Sequence, residues 1–406
     1  MPQDIKYVAI DNLLGRSKAD LNLMETVLAN GTLKGKKILL LNFPKGGKKV
    51  EQVVESYLPF ESISLEDKAN SADIKSILQH FGSFENKTFS NARETIQFGK
   101  SILYLDALSS SFIRRFESNQ ECPGFWNLAV GTFCRHSCRY CFLNLTMRMR
   151  PLCIEHLNLS HLKANLTYFN KKRGAVHALL NAGETSDPLD NEPILRIWNK
   201  IVTLVQASEN QILCLTKSAN VDTIPDSSNG NLRETVIYSW SINPPSVVRR
   251  YELNTASAED RIAAAHRLSN LGYRIRFRID PILPPTLLTA LSGGNLIPPT
   301  DIDLEEYYAL IDQFDRIQPE MVTLGTFRAL PSLFNFLEDA PLKKECLVKN
   351  GKRFRIPKQY RHYLYEQLGT YAQDLLGCHL AICKDPTIDL PFSTLRGPCQ
   401  CLKLNI

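Results

Sequence analysis

Three cysteines define the chemistry open to this chain. Cys134, Cys138 and Cys141 are spaced C-x3-C-x2-C within Cys134-Arg135-His136-Ser137-Cys138-Arg139-Tyr140-Cys141, directly after an apolar run that reads as a strand. With 11 cysteines in 406 residues, chance supplies that spacing on the order of 0.01 times per chain. One loop carrying three thiolates can fold round one inorganic body, and soft sulfur ligands suit zinc or an iron–sulfur cluster. A structural zinc wants a fourth Cys or His nearby, and His136, two residues after Cys134, would strain to share the ion. On a cubane cluster three thiolates leave one iron free to bind a small molecule. Both metals stay open on these local grounds.

A second group, Cys378, Cys383, Cys399 and Cys401, places four of the 11 cysteines in the last 29 residues and reads as a second metal site. Cys122, Cys153, Cys214 and Cys346 read as packing residues. The start, Met1-Pro2-Gln3-Asp4-Ile5-Lys6, lacks the basic and apolar parts of a secretory signal, and no stretch reaches the apolar length of a membrane span. A cytoplasmic location without membrane attachment is therefore expected, where reducing pools favour thiols and metal ligands over disulfides.

The elements that must position these residues follow from periodicity. Strand-like runs at Asn127 to Phe133, Ala175 to Ala182, Gln211 to Thr216, Thr235 to Ile242, Tyr273 to Ile282 and Met321 to Phe327 alternate with helical patterns such as Glu192 to Ala207, Ala258 to Leu271 and Leu304 to Ile317. That alternation predicts a parallel sheet with crossover helices, either open or barrel-like. Polar clusters follow each strand: the Cys loop, Gly183 to Asp187, Lys217-Ser218, Ser241-Ile242-Asn243, Asp280-Pro281 and Thr326-Phe327-Arg328. Functional side chains gather at the carboxyl ends of strands in such folds, so one shared site is expected there.

Three parts are expected: an α/β region over 1–120, the strand–helix array over 121–340, and a Cys-rich extension over 341–406 that begins with a basic segment and a helix from Gln359 to Leu376. Gly46-Gly47 lacks the full phosphate-loop pattern and reads as a basic turn. The stretch from Pro284 to Pro299 reads as a lid, a substrate-binding element or a structural insertion. Arg276 and Arg278 alternate on one strand face, as a salt-bridge network or an anion-recognition surface; Arg148 and Arg150 read as a solvated basic turn. The composition, 44% hydrophobic and 22% charged, excludes extended disorder. A net charge of +6 is compatible with a nucleic-acid partner without requiring one.

The Cys loop, with an aromatic before its last Cys and another after it, resembles the radical S-adenosylmethionine superfamily. Within that superfamily Ala129 to Cys134 and Cys141 to Thr146, together with Thr185-Ser186-Asp187, Leu215-Thr216-Lys217 and Ser241-Ile242-Asn243, resemble the spore photoproduct lyase family. The resemblance covers roughly residues 100 to 330. It implies an α/β fold with a partial (β/α)6 TIM-like barrel. It also implies a 4Fe-4S cluster on Cys134, Cys138 and Cys141 whose open iron chelates S-adenosylmethionine, and an external electron donor such as flavodoxin or ferredoxin.

By the same resemblance Glu184 pairs with the ligand's ammonium group, while Ser186, Lys217 and Ser241 lie near its methionine end and Lys217 neutralises its carboxylate. Cys383, Cys399 and Cys401, with Cys378 before them, resemble an auxiliary iron–sulfur site. Two departures bear on function. Glu184 stands where the family carries a hydrogen-donating Cys, and Phe142 replaces the Tyr after the last cluster Cys, although Tyr140 is retained as the catalytic candidate. The expectation is a radical enzyme acting on a small-molecule or peptide substrate. Repair of a pyrimidine lesion in DNA, and a non-catalytic zinc or nucleic-acid-binding module, are the alternatives.

Overall fold

A computed structural model describes residues 4–66, 72–117, 122, 124–173, 177–226, 232–294, 296–337 and 340–385. Two mainly parallel sheets, each with one antiparallel edge strand, organise them. The first runs in the order Phe60–Ser64, Lys37–Asn42, Tyr7–Asp11, Ile102–Asp106, Cys153–His156 and Gly131–Thr132. Its central strands, YVAID and ILYLD, are buried throughout, as continuous apolar runs must be when helices cover both faces of a parallel sheet. The basic turn is a close-packing device. A side chain at Gly46 would meet the Asn12 side chain at 2.0 Å, while Asn12 Oδ1 accepts from the Phe43 amide at 3.0 Å.

The second sheet carries the candidate chemistry. Seven parallel strands, Phe125–Leu128, Leu179–Asn181, Gln211–Thr216, Val236–Ser241, Arg274–Ile282, Met321–Thr326 and His379–Ile382, lie side by side, with Ile113–Phe116 antiparallel at one edge. The sheet order is open at its two ends, so the barrel is partial. The α/β architecture is the expected one. The C-terminal extension adds the seventh strand, delivered by the helix Lys358–Leu376.

Alternation along the strands separates two faces. Outward residues pack on the helices: Phe277 stacks on Phe314 at 3.9 Å, Trp126 meets Phe169 edge-on at 4.9 Å, and Trp198 Nε1 donates to the Tyr238 hydroxyl at 3.1 Å. Each buried aromatic of this kind contributes about 2–3 kcal/mol. The inward face starts from a small apolar floor, Leu179, Leu213 and Ile237, and becomes polar towards the carboxyl ends.

Some expected elements differ in detail. The run Asn127 to Phe133 is not one strand. Phe125–Leu128 joins the barrel sheet and Gly131–Thr132 crosses to the first sheet, where a Cβ at Gly131 would lie 2.8 Å from the Ile154 carbonyl. The first sheet thus draws two strands from beyond residue 120. The single helix expected over Glu192 to Ala207 is two, Glu192–Leu195 and Trp198–Gln206, broken at Arg196 with φ 50°. Glu192 Oε2 accepts from the Ile197 and Trp198 amides at 3.1 and 3.0 Å and so restarts the helix. In the Pro284 to Pro299 connection, the segment Pro285–Ser292 is a helix with Leu287, Leu288 and Leu291 buried. Arg274 and Arg276 pair with Glu320, and Arg278 with Asp280, so that strand face is a salt-bridge network.

Candidate active site

The Cys loop leaves the first sheet with Phe133 at φ 68°, its amide donating to the Thr185 carbonyl at 2.7 Å. From there the loop is tied to the ends of three barrel strands. The Arg135 amide donates to Asp190 Oδ2 at 2.8 Å and its guanidinium to the Asp190 carbonyl at 2.8 Å. His136 is buried: Nδ1 contacts the Asn254 carbonyl at 2.8 Å and Nε2 contacts Asp187 Oδ2 at 3.2 Å. Ser137 and Cys138 pair antiparallel with Leu253 and Glu252, and the Arg139 amide donates to the Tyr251 carbonyl at 2.8 Å. The buried Lys100 donates its ammonium to the His136 carbonyl and lies 4.9 Å from the centre of the Phe133 ring.

Two buried carboxylates knit the strand ends together. Asp187 accepts from the Thr216 hydroxyl at 2.7 Å and the Lys217 amide at 2.7 Å; burial pushes its pKa up, but His136 and these donors win and hold it at about 2. Glu252 pairs with Arg261 at 2.6 Å, accepts from Asn243 at 3.0 Å and from the Tyr140 hydroxyl, and has Lys217 Nζ at 4.0 Å. Burial again opposes ionisation, and Arg261 and Lys217 outweigh it, leaving Glu252 at about 2. Lys217 Nζ meets Ser241 Oγ at 2.5 Å and sits 5.8 Å from the Tyr140 ring centre. Burial and the Glu252 charge push the Tyr140 phenol well up, so it stays protonated.

A third cluster lies at the ends of the neighbouring strands Arg274–Ile282, Met321–Thr326 and His379–Ile382. Arg328 clamps both oxygens of Asp280 at 2.9 Å, and Cys383 Sγ receives Arg278 at 2.6 Å and Arg328 at 3.2 Å. Glu184 faces this cluster: burial raises its pKa, while Lys384, Arg278 and Arg328 draw it down.

The structure therefore brings Lys217, Ser241 and Tyr140 together around Glu252, and places Glu184 near Arg278, Arg328 and Lys384. Ser186 is buried beside the Cys loop, and its Oγ has no hydrogen-bond partner among the described residues. Such a group in a buried site is expensive unless a ligand or water satisfies it. Burial pushes the Cys134 thiol well up; Lys100 opposes this, and Cys141 and Cys138 add to the rise. Cys138 is pushed up by burial to about 12, against the pull of Lys217. Three thiols that feel one another's charge, flanked by Lys100 and Lys217, fit a cluster that spreads its negative charge.

The second cysteine group needs a correction. Cys378 and Cys383 flank the strand His379–Ile382 at its two ends. At about 3.3 Å per residue the strand holds them about 16 Å apart, so Cys378 cannot share a cluster with Cys383. Cys399 and Cys401 lie outside the described residues. Cys122, Cys153 and Cys214 are buried, as packing residues are. Glu252 and Arg261 are the site residues that sequence patterns miss, because no motif spacing marks them.

A partial parallel barrel with a three-thiol loop at the carboxyl ends of its strands is the arrangement that the resemblance to the radical S-adenosylmethionine superfamily implies. The family model "Spore photoproduct lyase" matches residues 85–286. Two curated relatives of that name are similar: one from Clostridium acetobutylicum, 28% identical over 173 residues, and one from Bacillus subtilis, 25% identical over 170 residues. These matches cover 42% and 41% of this chain and 51% and 48% of the relatives, so the chain spans about half the length of the curated relatives it matches. A solved spore photoproduct lyase variant with one Cys replaced by Ala superposes with a TM-score of 0.68 at 16% identity, covering 94% of this chain and 99% of that one. A double variant holding S-adenosylmethionine and dinucleoside spore photoproduct gives 0.64 at 14% identity with the same coverage. In sequence over residues 85–286 and in fold, the chain is similar to spore photoproduct lyases.

Proposed function

We propose that this protein is a radical enzyme that binds a 4Fe-4S cluster on Cys134, Cys138 and Cys141 together with S-adenosylmethionine, and acts on a small-molecule or peptide substrate. When bound, the cluster and S-adenosylmethionine together supply a deoxyadenosyl radical that abstracts hydrogen. The loop geometry carries the reading: three thiols are held by strand-end contacts at Thr185, Asp187 and Glu252, beside an unsatisfied Ser186 hydroxyl.

Lys217, steadied by Ser241 and Glu252, offers its ammonium to the ligand's carboxylate. Ser186 Oγ adds a neutral hydrogen bond. Glu184 is assigned to the ligand's ammonium group; burial raises its pKa, and Lys384, Arg278 and Arg328 oppose that rise. Tyr140 keeps its proton and fixes Glu252, which in turn aims Lys217. Phe142, 46% exposed and without a hydroxyl, cannot pass a hydrogen onward. With Glu184 in place of a thiol, return of hydrogen to a repaired thymine lacks two parts, which favours another substrate.

An auxiliary iron–sulfur cluster on Cys383, Cys399 and Cys401 is part of the proposal, with Cys378 left out. So is a working division into 1–120, 121–340 and 341–406. Anaerobic reconstitution with iron and sulfide counting tests the cluster content: about eight irons per chain support two cubanes, about four remove the auxiliary one, and none removes the radical reading.

The family match favours one further reading, action on a pyrimidine lesion in DNA. Salt-sensitive binding of damaged duplex would support it, and absence of binding at low salt would remove it.

A further inference from the structure

We propose that a basic groove beside the Cys loop is the docking surface of an acidic one-electron carrier protein; this rests on the radical reading above, which needs an electron from outside. The groove, about 810 Å³, is lined by Arg139, Arg250, Tyr251, Phe334, Lys343 and Lys344, and Glu345 is the one acidic side chain among its described lining residues. Its wall is continuous with the cluster loop. The Arg139 amide donates to the Tyr251 carbonyl at 2.8 Å, and the next residue, Glu252, pairs with Cys138. An electron arriving at Tyr251 is therefore one backbone ladder away from a cluster thiolate.

The rim adds charge and apolar surface. Arg249, Arg250, Lys343 and Lys344 are exposed. On the neighbouring turn, Phe142 and Met149 are 46% and 66% exposed, between exposed Arg148 and Arg150. That turn adjoins the groove, for Arg148 lies 5.9 Å from the Phe336 ring centre. Seven cations, Arg139, Arg148, Arg150, Arg249, Arg250, Lys343 and Lys344, still outnumber Glu345 when Glu338 and Asp339, next to Leu337 in the sequence, are counted with it. Exposed apolar side chains within a ring of like charge match transient redox encounters, which are small and electrostatically steered. The step moves one electron and no atom: the carrier is oxidised by one electron and the bound cluster is reduced by one.

The test uses the full chain, anaerobically reconstituted, with flavodoxin as the acidic probe. Arg250→Glu combined with Lys344→Glu reverses groove charge away from the proposed catalytic residues. Four readouts are compared with the unsubstituted protein: salt-dependent flavodoxin binding, binding of a single-stranded oligonucleotide, rate of reduction by reduced flavodoxin, and rate of reduction by dithionite. The proposal expects flavodoxin affinity and flavodoxin-driven reduction to fall at least about tenfold at low salt, with dithionite-driven reduction unchanged. Unchanged flavodoxin binding overturns it. So does a loss confined to binding of a single-stranded oligonucleotide, which would assign the groove to nucleic acid. If the unsubstituted protein is reduced by neither donor, the radical reading fails, while the binding readout, which needs no cluster, still decides the groove.

Discussion

Glu252→Gln removes the negative charge at the centre of the buried network. In the folded protein the Glu252 carboxyl is held at about 2, against an ordinary value of 4.5. A difference of that size in a fully buried group corresponds to about 3 kcal/mol of stability at neutral pH. The partner's side gives a similar figure. Arg261 is fully buried and would keep the Ser241 carbonyl, Thr255 and Ala256 as acceptors but lose the Glu252 carboxylate it pairs with. Stripping one member from a buried ion pair costs about 3–5 kcal/mol. Urea unfolding followed by circular dichroism measures the loss. The sign with pH follows from the lowered pKa: the contribution is complete above the unfolded value and disappears as pH falls through the folded one. The gap between unsubstituted protein and variant should therefore close between about pH 5 and pH 2. A loss under about 1 kcal/mol, or a gap independent of pH across that window, would refute the assignment of Glu252 as the charged keystone of the site.

Lys217→Met should weaken S-adenosylmethionine binding by about 10- to 100-fold, the worth of a charge-assisted hydrogen bond, and cost less stability than Glu252→Gln because Arg261 remains beside Glu252. Anaerobic calorimetric titration reads this directly, and equal affinity would remove Lys217 from the ligand site. Cys378→Ser should leave iron content as it was, whereas Cys383→Ser should lower it by one cluster. Iron counting on the two variants reverses the ligand assignment if the outcomes are exchanged.

The Cys loop and the parallel strand order are legible in the sequence because both are local: thiol spacing is a property of eight residues, and apolar runs of strand length punctuated by polar ends encode a parallel sheet. Thr185 to Asp187, Lys217 and Ser241 fall at strand ends for the same reason. Glu252 is not legible. It lies in Arg250-Tyr251-Glu252-Leu253, which has no chemical spacing, and its place is set by antiparallel pairing with Ser137 and Cys138 more than a hundred residues away. The neighbouring cysteines Cys378 and Cys383 mislead in the opposite sense. Five residues apart suggests one site, but a strand between them turns sequence proximity into separation. Likewise the apolar run ending at Phe133 conceals a switch of sheets at Gly131, which is required by backbone crowding against Ile154 and not by hydrophobicity.

The most direct measurement is the release of 5′-deoxyadenosine from S-adenosylmethionine by the anaerobically reconstituted, chemically reduced protein, followed by chromatography alongside Cys141→Ala. The radical reading predicts product from the unsubstituted chain and none above background from the variant. Absence of product from a reconstituted chain carrying its iron, or equal product from both proteins, would contradict it.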